Sequence, residues 1–305
     1  MIRDLANRFK QFLSPLDIVT ILYLVITGIY FCFDSRGILA NWTHLLIRLG
    51  IGLFIVSVIF LKEKFTENQI VLFVRNIYPI FFLGFFYTET NDMNNIIFPV
   101  DLDYYFYQAE QYLWHCQPSI IFGEKINQAW FNELMNMCYF SYYILIISVC
   151  SALYFKRKQL APKSIFIVVF SFYLYYVIFD VLPVSGPQFY LKDVPTASIP
   201  QYFFGRIMEG ILTDMEQPTG AFPSSHVGVA VILSILSFKH LKKMFFAIAF
   251  FSIGICFATV YIKAHYLIDV LAGLISAPIF VYVSGLVYNK LSSHPIDSIY
   301  HVKTD

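Results

Sequence analysis

Apolar runs close to the length of a bilayer crossing recur along almost the whole chain, at residues 16–33, 43–61, 68–88, 137–155, 164–182, 224–238, 244–262 and 266–288. A helix needs about 20 apolar residues to cross the hydrocarbon core. In lipid, every backbone N–H and C=O must also be paired inside the protein. Eight such runs in 305 residues point to one fold class, an all-α polytopic membrane helical bundle. Composition agrees, since 13% of residues are charged, against roughly 25% in a soluble domain. The net charge of +1 says nothing about partners; the apolar runs make the bilayer the expected one, with no nucleic acid.

The loops orient the spans. Residues 156–163 (FKRKQLAP) and 238–243 (FKHLKK) are short and basic, which places them in the cytoplasm. Residues 89–136 carry Glu89, Asp92, Asp101, Asp103, Glu110, Glu124 and Glu133 against the single Lys125 and read as the opposite side. Strict alternation then puts both termini in the cytoplasm, and residues 183–222 and the turn 263–265 on the non-cytoplasmic face. The run that follows Arg3, Arg8 and Lys10 is too long for a signal-peptide core, so residues 1–14 read as a cytoplasmic lead-in. The segment 104–131 is rich in Tyr, Phe and Trp. It reads equally as a packing collar or as a wall shaping a lipid access route.

Ionisable residues inside spans are costly. Arg48 and Arg75 are expected to snorkel or to pair between helices. Asp180, three residues before Pro183, is expected to orient a basic residue of a site or to cap its helix. The five cysteines show no metal-ligand spacing. A Cys116–Cys138 bridge and free thiols both remain open, with free thiols favoured.

Two pieces of the chain carry chemistry. In Gly220–His226 (GAFPSSH), Pro223, Ser224, Ser225 and His226 open the sixth run. Proline suits a first turn, and the free N–H groups there, with two hydroxyls, can cradle phosphate oxygens. In ATVYIKAHYLIDVLAG, His265 and Asp269 are four residues apart, a spacing that places both on one helix face. A carboxylate there can fix the tautomer of the histidine and leave the other ring nitrogen free to attack. The two pieces sit at the same ends of spans, and His226 beside such a phosphate can protonate a leaving alkoxide. Two histidines and an aspartate are also a weak zinc set, but no further ligand is evident.

PSSH followed two spans later by HYLID resembles the type 2 phosphatidic acid phosphatase (PAP2) superfamily of membrane phosphatases and lipid phosphotransferases. Within it, the wording of both pieces is most similar to the branch containing inositol phosphorylceramide synthases and their bacterial relatives. The resemblance covers the six spans of residues 68–290. It leaves residues 1–67 as an addition of two spans and 291–305 as a tail. It implies His265 as nucleophile, Asp269 as its orienting partner, His226 as acid, and Ser224 and Ser225 in a phosphate-binding turn, with neither metal nor cofactor. Two family features are missing. The Ser-Arg that commonly precedes the nucleophile is replaced by Ala258 and Thr259. The lysine-to-Arg-Pro motif is replaced by the turn Leu182–Phe189, which contains Gln188. Positive charge for phosphate is therefore expected from Lys263, with Lys192 and Arg206 behind it, and Gln188 is a further candidate contact. Three readings follow: hydrolysis of a lipid phosphate, transfer of a headgroup phosphate to a lipid alcohol, and a non-catalytic protein of the same fold. Hydrolysis is preferred because it asks less of the structure.

Overall fold

The computed structural model describes residues 12–34, 37, 41–65, 67–194, 202–214 and 217–292. Most of the expected N-terminal lead-in and of the tail lies outside the described residues. The helices are α1 Pro15–Tyr30, α2 Trp42–Lys64, α3 Gln69–Met93, α4 Asp103–Trp114, α5 Pro118–Lys125, α6 Ala129–Lys156, α7 Ala161–Val181, the single turn α8 Pro187–Tyr190, α9 Phe203–Asp214, α10 Ser225–His240, α11 Lys242–Tyr261 and α12 Leu267–Ser292.

Seven of these, with α1 extended by the 3-10 turn Phe31–Phe33 to 19 residues, have the length and apolar composition to cross a membrane, and they make the chain an integral multi-pass membrane protein. The eighth expected span corresponds to α10, whose 16 residues rise only about 24 Å. It falls short of the crossing length, so the count of eight rests on a short helix. α10 lies at the centre of the bundle, packed against α6, α7, α11 and α12. Val227, Val229, Ala230, Ile232 and Leu233 are all fully buried there.

The segment expected as an acidic loop is mostly helix. α3 runs on to Met93, which brings Glu89 inside the bundle. Its Oε2 accepts from Arg48 Nη2 at 2.6 Å, and its Oε1 lies 3.1 Å from His44 Nδ1. Arg75 pairs with Asp17 at 3.0 Å, and Asp17 also accepts from the Tyr78 hydroxyl. Both arginines are therefore in helix–helix pairs, since a charge this deep is tolerated only with a partner. Asp180 is buried, and its backbone carbonyl accepts from the Tyr30 hydroxyl.

α6 begins eight residues before the apolar run, because its polar first turns are satisfied. Glu133 accepts the Phe204 and Gly205 N–H groups at the start of α9, and the Asn136 amide donates to Asn132. All five cysteines are free thiols.

Candidate active site

The site forms where the N-terminal ends of α10 and α12 meet under the turn 183–187. Ser224 is the N-cap of α10, and its hydroxyl oxygen accepts the Val227 N–H at 3.3 Å. Pro223 precedes the cap rather than entering the first turn, and the Phe222–Pro223 peptide is cis. The Ser224 N–H donates to the Asp269 carbonyl at 3.0 Å, tying the start of α10 to the first turn of α12. Ser225 is buried at the same helix end, where the positive pole of the helix faces the histidines.

His265 lies just before α12 and is 3% exposed. Its Nδ1 is 2.8 Å from the Ala221 carbonyl oxygen. A carbonyl can only accept, so Nδ1 carries the hydrogen. Asp269 Oδ2 is 3.6 Å from the same nitrogen, beyond hydrogen-bond length, and instead accepts the Tyr266 N–H at 2.8 Å. The i,i+4 spacing thus brings the carboxyl close to the ring while the Ala221 backbone sets the tautomer. His265 Nε2 then faces His226 Nδ1 at 3.2 Å. With neutral rings, Nε2 accepts and His226 Nδ1–H donates. The pair presents a ring nitrogen with a lone pair next to a ring nitrogen with a proton.

α6 supplies the wall that sequence reasoning missed. The rings of Tyr139 and Tyr142 lie 4.7 and 4.4 Å from the His226 ring, centroid to centroid. Nothing marked these two among the chain's 22 tyrosines.

α4 supplies the second omission, two buried carboxyls. Asp103 accepts the Ser185 and Gly186 N–H groups at 2.7 and 2.8 Å and the Tyr266 hydroxyl at 3.0 Å. Glu110 accepts the Leu267 and Ile268 N–H groups at 2.6 and 3.3 Å. Burial pushes both acids up, and Glu110 reaches about 7 with Asp269 adding to the shift. Tyr266 is held well above its ordinary value by burial and by Asp103. The turn itself needs glycine at 186. With φ +94°, a Cβ there would sit 2.8 Å from the Ala264 carbonyl oxygen, one residue from His265.

Lys263 is 3% exposed, and its Nζ donates to the Leu191 and Val194 carbonyls at 3.1 and 2.8 Å. Burial lowers the ammonium from its ordinary value. Gln188 is half-buried, and its backbone N–H donates to the Lys263 carbonyl at 2.8 Å. Lys192 and Arg206 are on the surface. Among the described residues, no three His, Cys, Asp or Glu side chains are grouped as metal ligands.

This arrangement agrees with the family comparison, in which a sequence model described as the PAP2 superfamily matches residues 116–283. The chain belongs to the PAP2 superfamily. No curated protein and no solved structure matches it. The PAP2 match takes in α5 to most of α12, and so includes His226, His265 and Asp269. It begins after α4, so Asp103 and Glu110 brace the turn at 185–186 and residues 266–268, next to His265, from outside the matched stretch. PAP2 membership makes the fold one of the phosphatase and phosphotransferase type.

Proposed function

We propose that the protein is a membrane-embedded lipid phosphate phosphatase working through a phosphohistidine on His265, independent of metal. The observation that carries this reading is the facing pair of His265 Nε2 and His226 Nδ1 at 3.2 Å, with the other His265 nitrogen anchored on the Ala221 carbonyl. A phosphorus must come within about 3–3.5 Å of an attacking atom. The Nε2 lone pair is taken up by the His226 Nδ1–H, so this hydrogen bond opens as the phosphate enters at the start of α10.

In the first step the Nε2 lone pair forms the N–P bond as the P–O bond to the lipid breaks. His226, protonated on both ring nitrogens for this step, passes its Nδ1 proton to the departing alkoxide and is left a neutral imidazole. In the second step water attacks the phosphorus, His226 takes back a proton, and the N–P bond breaks to release phosphate. Asp269, 3.6 Å from Nδ1, supports the positive charge that develops on the His265 ring. Ser224 and Ser225 offer the helix end to the phosphate oxygens. Lys263 and Gln188 line the adjoining turn. In this reading Lys263 contributes charge by exchanging a carbonyl partner for a phosphate oxygen.

Residues 68–290 are assigned as the catalytic unit, with residues 1–67 as an added helical pair. The basic turns 156–163 and 238–243 lie at the end of the bundle away from the histidines, which supports a non-cytoplasmic active site. A second reading, transfer to a lipid alcohol as in inositol phosphorylceramide synthases, is favoured by the packing of two tyrosine rings against His226, because a transferase must exclude water.

The test is phosphate release by the purified full chain from a short-chain lipid phosphomonoester in mixed micelles with chelator present. Native protein should release inorganic phosphate, and His265→Ala should lose essentially all turnover. Undiminished release by His265→Ala would remove the nucleophile assignment. A new phosphodiester lipid from a phosphoinositide donor and ceramide, with no free phosphate, would select the transferase reading.

A further inference from the structure

A cavity of about 620 Å³ opens at the end of the bundle opposite the histidines. α7 begins in its wall and ends at the turn above the site. α12 begins at the site and ends in the cavity wall, about 39 Å away for 26 residues. The volume is that of a small-molecule site.

Its lining has one electrostatic sense. Lys158 and Lys163 stand on the basic turn, Asn76 and Asn289 share the lining, and none of the described lining residues is a carboxylate. Lys163 Nζ donates to Asn289 Oδ1 at 2.9 Å and lies 5.8 Å from the centre of the Tyr288 ring. Both partners are neutral, so the positive charge is oriented without being neutralised. The rest of the wall is apolar, from Leu72, Leu160 and Pro162.

We propose that this cavity holds the phosphate-bearing headgroup of an anionic phospholipid. Two ammonium groups beside neutral amides fit an anionic oxygen cluster. The apolar wall and the position at a span end fit a molecule whose tails stay in the bilayer. Basic pockets between membrane helices take such headgroups for this reason.

The experiment uses the full-length protein in micelles, incubated with phosphatidylglycerol or phosphatidylcholine, with retained lipid measured by native mass spectrometry. Native protein should retain phosphatidylglycerol preferentially. Each lysine near an anionic headgroup strengthens binding about fivefold, so Lys158→Gln with Lys163→Gln should weaken retention roughly 25-fold. Asn76→Asp, which adds a carboxylate and leaves both lysines in place, should weaken it as well and guards against a folding defect in the double variant. His265→Ala should retain the lipid like native protein, which separates this cavity from the histidine site.

Equal retention of the two lipids by native protein overturns the proposal. So does unchanged retention by both cavity variants, or loss of retention in His265→Ala. Displacement of the lipid by an equal concentration of inorganic phosphate would assign the cavity to a soluble anion instead.

Discussion

Glu110 reaches from α4 to the first turn of α12, where it accepts two backbone N–H groups beside Asp269. Its carboxyl is raised from 4.5 to about 7, chiefly by burial. Between those values the folded chain holds a proton that the unfolded chain has released. Stability from this group is therefore full below about pH 4.5, falls as pH rises through that window, and levels above about pH 7. Glu110→Gln keeps an acceptor oxygen and removes the titration. Its thermal midpoint should match native protein near pH 5 and rise above it by pH 8, read by differential scanning fluorimetry. A constant difference across that range would show that Glu110 does not titrate there. Asp103 and Glu110 were legible in the sequence only as markers of an acidic loop. Their partners lie 82 and 157 residues away, and no local pattern announces such a bond.

At the scale of elements, the site depends on how closely α10 and α12 approach. Gly273 lies inside α12, and a Cβ there would meet the Ser224 carbonyl oxygen at 2.6 Å and Val227 Cβ at 3.2 Å. Helix propensity alone favours alanine over glycine by about 1 kcal/mol. Overpacking costs about 1–3 kcal/mol, and here the nearest atom is backbone, which cannot rotate away. Gly273→Ala is expected to lower the thermal midpoint and to reduce phosphate release on the order of tenfold to a hundredfold, because the cap of α10 is displaced. Native-like turnover would show that the helix pair absorbs the methyl group. The boundaries of α11 and α12 were readable from their apolar runs to within a few residues. The first turns of α6 were not, because Glu133 there is satisfied by the start of α9 and Asn136 by Asn132.

For the whole molecule, the charge pattern of the turns makes a sidedness prediction. A cysteine placed at the exposed Lys192, with the native cysteines replaced, should react with an impermeant thiol reagent in intact cells. One placed at the exposed Lys158 should react only after permeabilisation. The reverse labelling would invert the bundle and move the active site to the cytoplasmic face. α1 and α2 are joined to α3 by buried ion pairs, Asp17 with Arg75 and Arg48 with Glu89. The sequence left these arginines open between snorkelling and pairing. Only the extension of α3 past its apolar run brought Glu89 to the depth of Arg48.

The sequence alone determined that this chain is a helical membrane bundle, because span length and the absence of charge are properties of contiguous residues. It also singled out the candidate site residues, since GAFPSSH and His265 with Asp269 are short local patterns. The tertiary structure decided how they are held. The Ala221 carbonyl, not Asp269, takes the His265 Nδ1–H; two tyrosines of α6 flank His226; and the Lys263 ammonium is satisfied by two loop carbonyls. Each depends on backbone or ring atoms brought together across at least 44 residues of chain. Such distances are set by helix packing, and a one-dimensional pattern carries no record of them.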